Sequence, residues 1–315
     1  MTDYGHPITF GLSLDPAVDK LGETRQLAKT AEAGGLDYLA IQDHPYQPGF
    51  LDTWTLISHL AAETERITFF PDVADVQLRP PTMLAKAAAS LSVLTHGRIV
   101  LGVGGGATAD GIAAMGGVRR GGGETVSYTE ESLQIMRRAL AGDTVRLVSD
   151  QHSVEGYRAG PVPPAPVPLW LGSQKPKMLA VTGRSSDGWI SPLNIYVRPD
   201  QVPSSQRLVD DAARRAGRDP AEVRRIYNVI GAIGPYAGGP GLVGEAALWI
   251  DTLASWTVDL GFDTFVFWPA TAHRRQLEIF AAEVVPGVRQ RVAELRRERG
   301  AEPRSEQGAT SGGRR

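Results

Sequence analysis

In Leu39-Ala40-Ile41-Gln42-Asp43-His44-Pro45, three apolar residues run into an abrupt polar triplet and then a proline. Residues 39–41 suit a short buried strand, and Gln42-Asp43-His44 marks its downstream end. Pro45 has no N–H for a ladder and steers His44 away from helical geometry, so the strand stops there. In α/β barrels the C-terminal ends of the parallel strands carry the active site, which makes Asp43 and His44 the first candidates for chemistry. A lone Asp-His pair can equally cap a solvent-facing turn, so the neighbouring elements decide between the two.

Upstream, residues 8–14 are β-like, and residues 20–33 carry Leu21, Leu27, Ala28 and Ala31 at helical spacing before Gly34-Gly35 ends the run. Downstream, Asp52 is a good N-cap for a helix over 53–63 with Trp54, Ile57, Leu60 and Ala61 on one face. Residues 67–73 form a third strand. Pro80-Pro81 opens a helix to Leu94, and residues 98–103 form a fourth strand ending in Gly104-Gly105-Gly106. The same alternation continues with strands at 169–171, 188–191, 225–233 and 264–268 and helices at 125–140, 176–186, 203–216, 243–260 and 274–299. Residues 143–157 are either a small hairpin or an extension outside the sheet, and the proline-rich 161–168 segment cannot be a central strand. Eight strand-helix repeats predict an α/β fold, a closed (β/α)8 TIM barrel, with insertions near 104–160 and 192–222. An open doubly wound sheet is the alternative. One domain is expected over 1–300, with a disordered polar tail at 301–315.

The 315 residues are 42% hydrophobic and 22% charged, a balance that supports a sizeable core. A net charge of -2 gives nothing to recruit nucleic acid or an anionic membrane. With no cysteine there is no disulfide, thiolate metal site or cysteine nucleophile. No apolar run approaches a membrane span and no signal-peptide pattern opens the chain, so no membrane partner and a cytoplasmic location are expected.

His44 can act as general acid or base because imidazole titrates near neutrality, and Asp43 can orient a ligand. Neighbours on a strand point to opposite sides, so only one of them need face a ligand. The glycines after strand four suit close backbone approach, and the absence of a Gly-Lys-Ser/Thr element excludes a triphosphate P-loop. Gly172-Ser173-Gln174-Lys175-Pro176 joins strand five to a helix whose free N–H groups would face the barrel mouth, an anion site with Ser173, Gln174 and Lys175 as added donors. Trp54, Trp189, Trp268 and Tyr46 are candidates for an apolar pocket wall, and Arg119-Arg120 for an anionic substrate. His59, mid-helix, reads as packing and His96-Gly97 as a turn. No His, Asp and Glu cluster has metal spacing, and no Gly-x-Ser-x-Gly elbow is present.

Several motifs occur together: Gln42-Asp43-His44-Pro45-Tyr46-Gln47-Pro48, Leu78-Arg79-Pro80-Pro81, Gly97 to Gly104 through strand four, Gly183 to Trp189 into strand six, and Gly261-Phe262-Asp263 through Phe280. On these the chain resembles the bacterial luciferase-like oxidoreductases, flavin- or deazaflavin-dependent (β/α)8 barrels. Its Asp-His pair is more similar to the deazaflavin (coenzyme F420) branch than to the Glu-His form of flavin monooxygenases. The resemblance implies hydride transfer between F420 and a small organic substrate, with His44 at the transfer site and Asp43 contacting the cofactor. It also implies a non-prolyl cis peptide at Asp72-Val73 supporting the cofactor ring, cofactor loops at Gly105, Gly106, Gly172, Ser173, Gln174 and Lys175, and a homodimer. An FMN-dependent monooxygenase and a non-catalytic flavin-binding barrel are the alternatives. Sugar-phosphate dehydrogenases of that branch place an acidic glutamate where this chain has Ala107, so glucose 6-phosphate oxidation by that route is not expected; Asp110 is the nearest substitute acid.

Overall fold

A computed structural model describes residues 3–236 and 238–300, and the 301–315 tail lies outside them. In order the chain forms β1 (Thr9–Leu14), α1 (Leu21–Ala33), β2 (Tyr38–Ile41), α2 (Thr53–Ala61), β3 (Thr68–Pro71), β4 (Ala74–Asp75), α3 (Pro81–Leu94) and β5 (Leu101–Gly104). It continues through α4 (Ala109–Ala114), α5 (Gly122–Leu140), β6 (Thr144–Val148), β7 (Ser153–Arg158), β8 (Leu169–Gly172), α6 (Pro176–Ser185), β9 (Gly188–Ser191) and α7 (Val202–Arg215). The last part is β10 (Arg224–Ile233), β11 (Leu242–Gly244), α8 (Ala246–Leu260), β12 (Thr264–Pro269), α9 (His273–Ile279) and α10 (Val285–Glu298).

The main sheet is parallel in the order β3-β2-β1-β12-β10-β9-β8-β5-β4. The first and last strands of the chain meet, Thr9 opposite Thr264 and Leu12 opposite Phe267. The ring closes on the far side where Phe69 donates to the Arg98 carbonyl at 3.1 Å and Val100 donates to the Phe69 carbonyl at 2.9 Å, beside the short β4–β5 ladder. The expected TIM barrel is therefore present. Inside it Ala40, Phe70, Val100, Trp170, Ile190, Ile226 and Val266 form an apolar plug. The Tyr38, Phe70 and Trp170 rings meet edge to face with centroids 5.2–6.0 Å apart. Packed lumens of this kind are cores rather than pores, which leaves one end of the strands for ligands.

Several boundaries differ from the sequence reading. Residues 67–73, expected as one strand, divide at Asp72-Val73 into β3, which pairs with β2, and β4, which pairs with β5; the peptide between them is cis. The backbone of residues 98–100 makes only the two sheet bonds around Phe69, so β5 starts at Leu101. Residues 143–157 are the hairpin of the two options, an antiparallel β6–β7 pair separate from the barrel sheet. Residues 109–114, within the expected insertion, form α4, and α5 starts at Gly122 rather than 125, where Glu124 accepts the Gly121 N–H at 3.3 Å. Residues 242–244 pair with β10 as β11 rather than opening α8. The final helix is interrupted by a π turn over Phe280–Val284, in which the Val285 N–H reaches the Phe280 carbonyl. Pro286 follows immediately and has no N–H to continue the regular i→i−4 ladder. Among the described residues no helix is long and apolar enough to cross a membrane.

Candidate active site

The barrel's C-terminal end collects the polar residues that interrupt the strands. Asp43 follows β2 and is buried. Its Oδ2 accepts the Asp75 backbone N–H at 3.2 Å and an ion pair from Arg79. Arg79 spans to a second carboxylate, Asp52, which also caps α2 by accepting the Thr55 N–H at 2.9 Å. Burial pushes the Asp43 carboxyl above the usual carboxylate range, with the Arg79 charge opposing it. Asp75 on β4 is shifted upward too, by burial first and by the Asp43 charge in the same direction.

His44 is half-buried beside Asp43. Its Nδ1 lies 2.8 Å from the Tyr46 hydroxyl, which leaves Nε2 as the ring face for a ligand. Desolvation lowers its pKa, partly offset by Asp43, so the ring is neutral at pH 7. Tyr46 in turn rests against α4: a Cβ added at Gly111 would come within 2.7 Å of its ring.

The cis peptide lies at Asp72-Val73, where the resemblance implied it. Val73 fills the space above two strand-end glycines; a Cβ at Gly104 would stand 2.5 Å from Val73 Cγ2, and one at Gly172 3.1 Å from both Val73 methyls. Gly105 is enclosed by Thr125, Thr129 and Met178, and its carbonyl accepts from the Gln77 side chain. Gly106 has φ +98° and sits 3.3 Å, by its missing Cβ, from Asp75 Oδ2. Glycine is required there on both counts.

Ser173 does not offer its side chain to the mouth. It is buried, its Oγ lies 2.8 Å from Thr182 Oγ1, and its N–H reaches the Ile190 carbonyl at 3.3 Å. Gln174 and Lys175 are exposed at the start of α6, and Lys177, which the sequence reading passed over, adds a second cation. Asp110, the suggested substitute acid, is 88% exposed and paired with Arg119. Arg120 turns inward: its guanidinium lies 3.8 Å over the Tyr128 ring and donates to Gln77 Oε1 at 3.2 Å. Trp189 is fully buried, packs on Phe262 and donates to the Ser173 carbonyl; Trp54 also belongs to the core under the helices. Neither lines a pocket, whereas Trp268 and Tyr46 remain half-buried at the mouth. His59 is exposed, 3.3 Å from Glu63, rather than packed.

Asp75, Gln77, Arg79 and Asn228 are the residues that sequence reasoning left out of the site. Only Arg79 had a signal, its place before the helix-opening prolines. Asp43 Oδ1, Asp72 Oδ2, Asp75 Oδ2 and Arg120 Nε are all sealed from solvent with no protein partner. Buried polar atoms are normally satisfied, so four of them around one mouth fit a ligand rich in donors and acceptors. The glycine clearances and the basic α6 start fit a flat ring with an anionic tail. Among the described residues no His, Asp and Glu group is placed to hold a metal ion.

The sequence pattern of the family described as luciferase-like monooxygenase matches residues 3–236. A 5,10-methylenetetrahydromethanopterin reductase of Methanolobus tindarius is 31% identical over 220 residues, 69% of this chain and 63% of that protein. An F420-dependent glucose-6-phosphate dehydrogenase of Amycolatopsis mediterranei is 29% identical over 171 residues, 52% of this chain and 51% of that protein. The chain thus spans less than two thirds of the length of these relatives. An F420-dependent secondary alcohol dehydrogenase with an F420-acetone adduct superposes with TM-score 0.80 at 17% identity, covering 90% of this chain and 99% of that one. A long-chain alkane monooxygenase superposes with TM-score 0.74 at 13% identity, covering 94% and 92%. At such identities the two structures share the fold.

Proposed function

Because the chain belongs to the luciferase-like monooxygenase family, we propose that it is an oxidoreductase using the deazaflavin coenzyme F420 to move a hydride to or from a small organic substrate. The observation that carries this reading is the placement of Asp43-His44 after β2 in one mouth with Val73 and the strand-end glycines Gly104 and Gly172 beneath it. The F420-dependent dehydrogenase among the relatives supports the choice of cofactor. When bound, the deazaflavin supplies two-electron hydride chemistry with little reactivity toward oxygen; FMN would bring oxygen activation instead.

The chain's own residues have separate tasks. Gly105, Gly106, Gly172 and the start of α6 would hold the cofactor's backbone and anionic tail, with Gln174, Lys175 and Lys177 supplying donors. Asp43 and the Asp72-Val73 bulge would bear on its ring. Neutral His44, fixed through Nδ1 by Tyr46, presents Nε2 to a substrate hydroxyl or carbonyl and can take or give the proton that accompanies hydride transfer. The aromatic plug keeps water from reaching the site through the lumen.

Calorimetric titration of the purified chain with F420 and with FMN tests this reading. Tight F420 binding is expected. Tight FMN binding with none of F420 would overturn it in favour of an FMN-dependent monooxygenase. His44→Ala should keep the cofactor and lose roughly 100-fold or more in turnover on carbonyl, alcohol or imine substrates; unchanged turnover would remove His44 from the chemistry.

A further inference from the structure

Along three strands the side chain two residues beyond the apolar plug points into the same lumen. Phe70 on β3, Ile226 on β10 and Val266 on β12 belong to the plug, and the next residues up are Asp72, Asn228 and Trp268. They are hydrogen-bonded to each other. Trp268 Nε1, which can only donate, reaches Asn228 Oδ1 at 3.0 Å. That fixes the Asn228 amide, so its Nδ2 faces the Ser191 carbonyl at 3.3 Å and Asp72 Oδ1 at 3.4 Å. With Oδ1 serving as acceptor, any proton on the Asp72 carboxyl belongs on Oδ2, the oxygen that is sealed from solvent and has no protein partner.

Among the described residues no cation offsets this carboxyl. The elements around it are β2, whose Ile41 carbonyl accepts the Asp72 N–H at 2.7 Å, and β9, β10 and β12, which face it with the Ser191 carbonyl, Asn228 and Trp268, none of them charged. The titratable groups of the mouth, Asp43, Asp75 and Arg79, act on one another, and His44 responds to Asp43. On Asp72 only burial and the Asn228 donor act, and burial pushes it up to about 7.

We infer that Asp72 is the proton-holding group of the barrel mouth, presenting a carboxylic O–H from Oδ2 to an acceptor atom, a carbonyl oxygen or ring nitrogen, of the molecule bound there. The identity of that molecule rests on the redox reading above; the protonation of Asp72 does not. An acceptor ligand selects the protonated form, so binding above the Asp72 midpoint takes up one proton.

The test has two arms, both on the full chain. In the first, infrared difference spectra of ligand-free protein over about pH 5 to 9 follow the protonated-carboxyl C=O stretch. A band that titrates within about one unit of 7 and is missing from Asp72→Asn supports the inference; a carboxylate ionised throughout that range overturns it. In the second, F420 and FMN are titrated calorimetrically across the same range. Wild-type affinity should weaken roughly tenfold per pH unit above the midpoint, while Asp72→Asn, whose amide keeps a donor in place, should lose that decline. The same pH dependence in both proteins, or none in the wild type, overturns the ligand contact. If neither cofactor binds at any pH, the redox reading fails and the infrared arm alone decides the role of Asp72. Should Asp72→Asn fail to fold, Asp72→Ser removes the carboxyl for the same comparison.

Discussion

Arg79 holds one positive charge between two carboxylates, and removing it would leave Asp43 buried beside Asp75 with no cation. Arg79→Ala should cost on the order of 2–3 kcal/mol in urea unfolding, below the roughly 3–5 of a fully buried pair because Asp52 is half-exposed. Adding Asp43→Asn should recover part of the loss, and strict additivity would show that the charges are not coupled. Asp72 carries a second prediction, with a sign that follows from its raised pKa. The folded chain keeps a proton that the unfolded chain releases near pH 3.8, so the stabilisation is complete below that value and lost as pH rises through about 7. Asp72→Asn should therefore raise the melting temperature more at pH 8 than at pH 5; an equal shift at both would place the ionisation elsewhere. His44 runs the other way. Its pKa is lowered, so any acid limb of kcat/KM due to it should lie below the ordinary value of 6.5 and vanish in His44→Ala. Asp43 and His44 were legible in the sequence because they break an apolar run at a proline. Asp75 and Asn228 were not: they sit inside apolar stretches, and their partners arrive from strands 32 to 156 positions away.

At the scale of elements, Val73 and the ends of β5 and β8 form one packed unit. Gly104→Ala would drive a methyl to 2.5 Å from Val73 and should destabilise the chain and weaken cofactor binding together. Adding Val73→Ala should relieve the clash, with a coupling of about 0.5–3 kcal/mol between the two changes; independent effects would refute the contact. The glycines after strands four and five invited a cofactor-loop reading, and Gly104 and Gly172 prove also to be clearance for a side chain from another strand. That role has no local signature, since the fitting residue lies 31 positions before one glycine and 99 before the other. For a similar reason the break between β3 and β4 was invisible in the β-like stretch 67–73. Helix starts were more legible where a cap existed, as at Asp52, than where a strand pairing intervened, as at β11.

Across the whole molecule, closure is uneven. β1 and β12 share a continuous register from Thr9 to Leu12, whereas β3 and the segment just before β5 meet through the two bonds around Phe69, braced by Arg98, whose guanidinium reaches the Ala61, Thr64 and Ile67 carbonyls at 2.9 Å. Hydrogen exchange should therefore be faster at the Phe69 and Val100 amides than at those of β1, and Arg98→Met should widen the gap; uniform protection would show the seam to be as strong as the rest. The eight repeats made a parallel α/β sheet legible from period, because each strand had to be buried on both faces, and left an open doubly wound sheet as the alternative to the barrel. Which strands close loosely depends on register, which periodicity does not encode. The aromatic filling of the lumen has an optical consequence as well. Trp170 within the plug and Trp268 packed against it place two indole emitters next to the mouth. A near-ultraviolet chromophore seated there would drain their excitation by resonance transfer, so the barrel carries its own antenna and would dim as it fills.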